Sequence, residues 1–115
     1  MIKNLKTKFL LGITFLFAST GTALAQTTSR IVYVQANPGT SNRENIFYIK
    51  LENPPTQAGC ASDAEDRMVA PLNTERGRAA FEIAISAKAN NRPIVIGGAG
   101  NCTDRYENIG YIRHL

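Results

Sequence analysis

The first 25 residues constrain this chain most, because they have the makings of a segment that is removed before folding. Lys3, Lys6 and Lys8 form a positive start. Residues 9–18 form an apolar run broken only by Gly12 and Thr14, and Ala23-Leu24-Ala25 supplies the small-x-small pattern after which a signal peptidase cuts. The run is too short to span a bilayer, and small residues follow it where a stop-transfer cluster would stand. The pattern predicts a secretory leader of bacterial type over 1–25 and a mature chain starting at Gln26. That chain is expected to be exported, periplasmic or secreted, and to fold as one domain of 90 of the 115 residues. Such a length lies near the lower end of what one core supports unaided.

Removing the leader changes the charge argument. Three of the 13 basic residues precede Gln26 and all 9 acidic ones follow it, so the net charge of +4 shrinks to +1. A basic pI is therefore no nucleic-acid footprint here. Beyond the leader no apolar run approaches the length of a membrane span, so no membrane-spanning segment is expected in the mature chain. Cys60 and Cys102 both follow Gln26. In an oxidising compartment an isolated pair predicts a disulfide, worth about 4 kcal/mol for a loop of about 40 residues. No Cys-x-x-Cys spacing suggests a redox or metal pair.

Past a polar lead at 26–29, residues 31–36 are β-branched and aromatic and predict a strand. Residues 37–45 carry turn chemistry at almost every position. Residues 46–51 predict a second strand: Phe47, Ile49 and Leu51 form the core face, while Ile46, Tyr48 and Lys50 form the other. Pro54-Pro55 ends it, and 54–65 reads as an irregular connection holding Cys60. A short third strand is expected at 67–70. The period then changes, and 74–90 predicts a helix capped by Asn73 or Thr74, with Glu75 at its positive end. Ala80, Phe81, Ile83, Ala84, Ile85 and Ala87 fill its apolar arc, with Phe81, Ile83 and Ile85 expected to bury the most area. Asn90-Asn91-Arg92-Pro93 stops it. A strand at 94–96, a glycine-rich loop at 97–101 and a last strand at 109–113 complete the chain.

The fold class this order predicts is α+β. It fits a small, partly open β-barrel of four or five strands with one helix before the last two, the order of an OB-fold. One tension remains: up-down threading of such a barrel puts Cys60 and Cys102 at opposite ends.

Phe47-Tyr48-Ile49, Gly59-Cys60, the helix segment Arg78-Ala79-Ala80-Phe81-Glu82-Ile83-Ala84 and the run Arg92-Pro93-Ile94-Val95-Ile96 together resemble exported OB-fold B subunits of bacterial pentameric toxins, the subtilase-cytotoxin type above all. The resemblance is one of arrangement over residues 31–115. It implies a ring-forming lectin for sialylated or other cell-surface glycans, and carries no sugar-contacting residue over to a position here.

No catalytic constellation is legible. The sole histidine, His114, stands one residue from the C-terminus, where a base is poorly held. Gly-x-Ser-x-Gly, His-Glu-x-x-His and phosphate-loop patterns are absent. Gly97-Gly98-Ala99-Gly100 precedes a cysteine rather than a helix, which argues against a dinucleotide site. Asp63, Glu65 and Asp66 lack the ligand pattern of a calcium loop. Arg67, Arg76 and Arg78 flank the helix start and Arg43 and Arg105 lie in the two long loops, and with the tyrosines 33, 48, 106 and 111 they could neutralise and stack on a nucleic acid, but export and the charge of +1 argue against it. The chain is thus expected to be no enzyme, to need no metal or cofactor, and to bind no nucleic acid. Ligand binding is expected in the two loops at one end of the barrel, 37–45 and 97–107, through Asn37, Asn42, Arg43, Asn101 and Arg105. A glycan or another cell-envelope component is the expected partner. The alternative is a structural or inhibitory protein that works through a protein partner or a homo-oligomer.

Overall fold

The computed structural model describes residues 25–39 and 45–115. The expected leader and its cleavage, and the expected ligand-binding residues Asn42 and Arg43, lie outside the described residues. The order is β1 (Gln26–Ser29), β2 (Ile31–Asn37), β3 (Ile46–Leu51), β4 (Met68–Pro71), α1 (Glu75–Ala89), β5 (Ile94–Thr103) and β6 (Tyr106–His114). The class is α+β, as expected. All six strands join one mixed sheet in the order β1-β5-β6-β4-β3-β2. Every pairing is antiparallel except β4 with β6, which is parallel.

Two expectations need correction. Among the described residues the strands number six, not four or five, because the polar lead 26–29 pairs with β5 as β1. Its backbone groups gain a ladder there although its side chains carry no hydrophobic signal. Second, the whole glycine-rich segment 97–101 is strand: β5 runs on to Thr103, with register irregularities at Gly98 that let the chain bend where Glu107 fills the space a Cβ would need. The pairing is not closed into a barrel. β1 and β2, at opposite ends of the strand order, are nevertheless consecutive halves of one segment interrupted at Arg30.

The core forms as the period-2 pattern of β3 requires. Phe47, Ile49 and Leu51 are buried with Met68, Ala70, Ile94 and Ile96, and Ala84 and Ala87 of α1 complete the cluster. Phe81 sets its ring edge-on against Phe47, with centroids 5.0 Å apart. Ile85 departs from expectation: it is 44% exposed. The helix meets the sheet through a stripe of small residues, so it lies close and leaves Ile85 on its flank.

Both helix ends are satisfied locally. Thr74 Oγ1 accepts from Gly77 N at 2.9 Å. At the other end Arg92 N donates to Ala87 O, Asn91 N donates to Lys88 O, and Asn91 takes the left-handed φ of 52°, the Schellman arrangement.

The Cys60–Cys102 disulfide forms, with Cα atoms 6.1 Å apart. The threading tension disappears because β4 runs parallel to β6. The start of β4, and the connection that leads into it, therefore stand beside the start of β6, where β5 delivers Cys102.

Gly77 tests the seating of α1. A Cβ built there lies 1.6 Å from the Pro71 carbonyl oxygen, a backbone atom with no rotamer to change. Gly77→Ala should therefore destabilise the protein by at least about 2 kcal/mol in denaturant melts, despite alanine's better helix propensity. An unchanged or raised midpoint would show that α1 does not sit on the end of β4.

Candidate functional site

The sheet face opposite the core carries the chemistry. Register places Tyr33, Gln35 and Asn37 of β2 beside Lys50, Tyr48 and Ile46 of β3, then Val69 of β4, then Asn108 of β6. Val69 is 1% exposed yet stands outside the core cluster, covered on this outer face.

The centre of the face is a pair of rings. Tyr48 and Tyr106 meet edge-on with centroids 4.9 Å apart. The Arg67 guanidinium lies 5.5 Å from the Tyr48 centroid and 5.3 Å from that of Tyr106. Arg105 lies 5.8 Å from the Tyr106 centroid. Burial, and then the neighbouring Tyr106, push the Tyr48 phenol above its ordinary pKa.

Arg67 is held in place by Asp63. The Asp63 Oδ1 accepts from Nη2 at 2.8 Å; its Oδ2 accepts from Nε at 3.0 Å and from the Arg67 backbone N at 2.9 Å. Asp63 is 8% exposed, and the Arg67 hydrogen bonds hold its carboxyl down from 3.8 to about 2. The same bonds raise the Arg67 pKa. Glu65 completes the rim. It accepts from the Tyr33 hydroxyl at 3.3 Å, with Lys50 Nζ 3.6 Å from one oxygen and Arg67 Nε 3.8 Å from the other.

The connection 52–67 delivers Asp63, Glu65 and Arg67. A buried carboxylate seats it. Glu107, 3% exposed, accepts from Ala58 N through Oε1 at 2.8 Å and from Gly100 N through Oε2 at 3.0 Å. Ser62 N donates to Arg105 O at 3.0 Å.

The residues expected to bind ligand are distributed as follows. Asn37 ends β2 on the outer face and its Oδ1 accepts from Gln35 Nε2 at 3.2 Å. Asn101 lies in β5 rather than in a loop, and its Oδ1 accepts from Asn108 Nδ2 at 3.1 Å, while Thr103 donates to Asn108 Oδ1 at 2.9 Å. Arg105 stands in the turn between β5 and β6, beside the ring pair. Sequence reasoning missed Lys50 and the joining of Tyr33, Tyr48, Tyr106 and Arg67. The alternation of Tyr48 and Lys50 against Phe47, Ile49 and Leu51 was the signal that placed two of them on one face.

The acidic cluster is divided by its partners. Asp63 serves Arg67, and among the described residues no group of three or more His, Cys, Asp or Glu side chains could hold a metal ion. No helix among them is long and apolar enough to cross a membrane. His114 is exposed at the end of β6.

A second feature is an apolar cleft of about 620 Å³ between α1 and β6, lined by Ala70, Ala80, Ile83, Ile109 and Ile112. No family model, curated protein or solved structure matches the chain.

The Asp63–Arg67 pair should show in the pH dependence of stability. The folded-state pKa of Asp63 lies below its unfolded value, so its contribution is present above about pH 4 and is lost as pH falls toward about 2. The loss should be on the order of 1–2 kcal/mol and should be reduced in Asp63→Asn. Urea melts of both proteins between about pH 6 and about pH 2.5 measure it; parallel curves would count against the pair.

Proposed function

We propose that this chain is an exported, non-enzymatic binding module that holds a glycan or another cell-envelope component on the outer face of its sheet. The Tyr48–Tyr106 pair, fixed by Arg67 and Asp63, is the observation that carries the reading. Aromatic rings offer an apolar surface to the C–H face of a sugar, and tyrosine is a rigid contact with few rotors. Around the rings stand groups that hydrogen-bond to hydroxyls: the Arg105 guanidinium, Lys50, Gln35, and the Asn101–Asn108–Thr103 chain. Arg67 is committed to Asp63 and acts as the stiff support of the rings.

An OB-like architecture is part of this proposal. A single segment interrupted at Arg30 begins and ends the strand order, which supports a sheet curled toward closure. The parallel β4–β6 pair and the helix between β4 and β5 agree with it. The toxin B-subunit resemblance implies the same ligand class. Asn42 and Arg43 remain proposed contributors from the first long loop. The disulfide is compatible with export.

A second reading is favoured by the cleft between α1 and β6. Its apolar lining suits a structural or inhibitory protein acting through protein contacts, a homo-oligomer included.

A glycan array followed by calorimetric titration of its hits tests the first reading. The oxidised protein should bind saturably. Tyr106→Ala should weaken binding by about tenfold or more, equivalent to about 1.4 kcal/mol, with the far-UV spectrum unchanged. Arg105→Ala should weaken it by a smaller factor. No saturable glycan binding, together with a discrete oligomer by light scattering, would move the assignment to the second reading.

A further inference from the structure

We infer that the Cys60–Cys102 disulfide is a redox control on the aromatic face: oxidised, it holds the connection 52–67 against the β5–β6 hairpin and so assembles the face; reduced, it releases the face while the sheet stays folded. The inference rests on the binding reading above and adds its regulation.

Three ties join the connection to that hairpin within five residues. Ala58 N donates to Glu107 Oε1 at 2.8 Å, Cys60 is bonded to Cys102, and Ser62 N donates to Arg105 O at 3.0 Å. The next residue is Asp63, and Glu65 and Arg67 follow. The contacts of Glu65 with Tyr33 and of Arg67 with Tyr48 and Tyr106 thus come from chain that these ties seat, while Arg105 reaches Tyr106 from the hairpin itself.

The ties are unequal. A hydrogen bond is worth only about 1 kcal/mol net and exchanges with water, whereas the disulfide is covalent. Between Glu52 and Arg67 the chain forms neither strand nor helix; its start is tied to the β1–β2 segment through Glu52 N to Arg30 O and Asn53 N to Ser29 Oγ, and past that point its other backbone bonds are local, such as Ala61 N to Ala58 O and Asp66 N to Asp63 O. Segments of this kind open at a low free energy once untethered. The core does not rely on it: Phe47, Ile49, Met68, Ile94, Ile96, Ala84 and Ala87 pack on one another from β3, β4, β5 and α1.

Access favours the switch. Cys60 is exposed and Cys102 half-buried, so an external thiolate reaches Cys60 Sγ. With a dithiol as reductant, its thiolate attacks Cys60 Sγ. The S–S bond breaks, and Cys102 leaves as a thiolate that takes up a proton. The second thiol of the reductant then displaces Cys60, which also ends as a thiol. Two electrons and two protons pass to the cysteine pair, and the reductant departs as a cyclic disulfide.

The test reduces the already folded, full-length mature chain with dithiothreitol and follows amide hydrogen exchange by NMR. It thereby avoids a Cys60→Ser/Cys102→Ser variant that has to fold without the bond. Exchange at Ala58, Ser62 and Arg67 is expected to rise by about tenfold or more, while the ladder amides of Phe47 and Ile49 stay within about twofold. The near-UV tyrosine signal should fall and return on reoxidation. Unchanged exchange at the three amides would overturn the inference, since the disulfide then holds nothing that the hydrogen bonds do not. Faster exchange at Phe47 and Ile49 would overturn it equally, since the bond is then a staple for the whole domain. The glycan titration separates the two proposals. A local exchange response in a protein that binds no glycan removes the binding reading and leaves the device. Equal glycan binding by oxidised and reduced protein, with unchanged exchange, removes the device and leaves the binding reading.

Discussion

A buried carboxylate organises this structure more than any other single group. Glu107 lies on the core side of β6 by its register with Met68, and an acidic side chain there is tolerable only with its oxygens satisfied. They take backbone N–H groups from two segments that sequence keeps far apart, Ala58 in the connection after β3 and Gly100 in β5. Both segments would otherwise need other partners for those donors. Gly98 follows from the same geometry: a Cβ there would lie 2.0 Å from Glu107 Oε2. The ladder between β5 and β6 gives up regular register at this point and recovers it at Cys102. One carboxylate thus accounts for a glycine, a strand irregularity and the seating of a 16-residue connection between Glu52 and Arg67.

The seated connection explains why a charged cluster can lie on a sheet without unravelling it. Asp63 is removed from water but spends both oxygens on Arg67, so neither charge is left unpaired. The guanidinium in turn spreads over two tyrosine rings. Glu65 and Lys50 are more exposed, and their 3.6 Å pair contributes little to stability. The cluster's rigid part is the half-buried Arg67 with its rings, and its adaptable part is the exposed rim. That division suits a surface that presents a fixed apolar patch and lets polar side chains adjust around it.

Local physics made a good part of this legible beforehand. β3 alternates without interruption, so Phe47, Ile49 and Leu51 had one face available to them, and all three are buried. The helix between Thr74 and Asn90 was marked at both ends by residues whose own backbone chemistry stops or starts a helix, and both caps form as those residues dictate. The cysteine pair was predicted from compartment and count, and it closes. What failed was wherever pairing, not side chain, sets the conformation. Gln26–Ser29 and Ala99–Asn101 have no strand signal, yet both lie in strands of the sheet. A backbone donor is satisfied by any neighbouring strand, so a polar or glycine-rich segment becomes a strand when the fold puts one beside it.

The sequence alone determined the class, the element types with a hydrophobic period, and the covalent tie, since each depends on residues close together or on the chemistry of one residue type. Only the tertiary structure decided which distant groups meet. The parallel alignment of β4 with β6 brings the start of β4 next to the end of β5, which reconciles the disulfide with the sheet. The same alignment places Arg67, one residue before β4, against Tyr106, the first residue of β6. No local pattern encodes that meeting, because the two residues stand 39 positions apart in the chain and their contact depends on strand order, a property of the whole sheet.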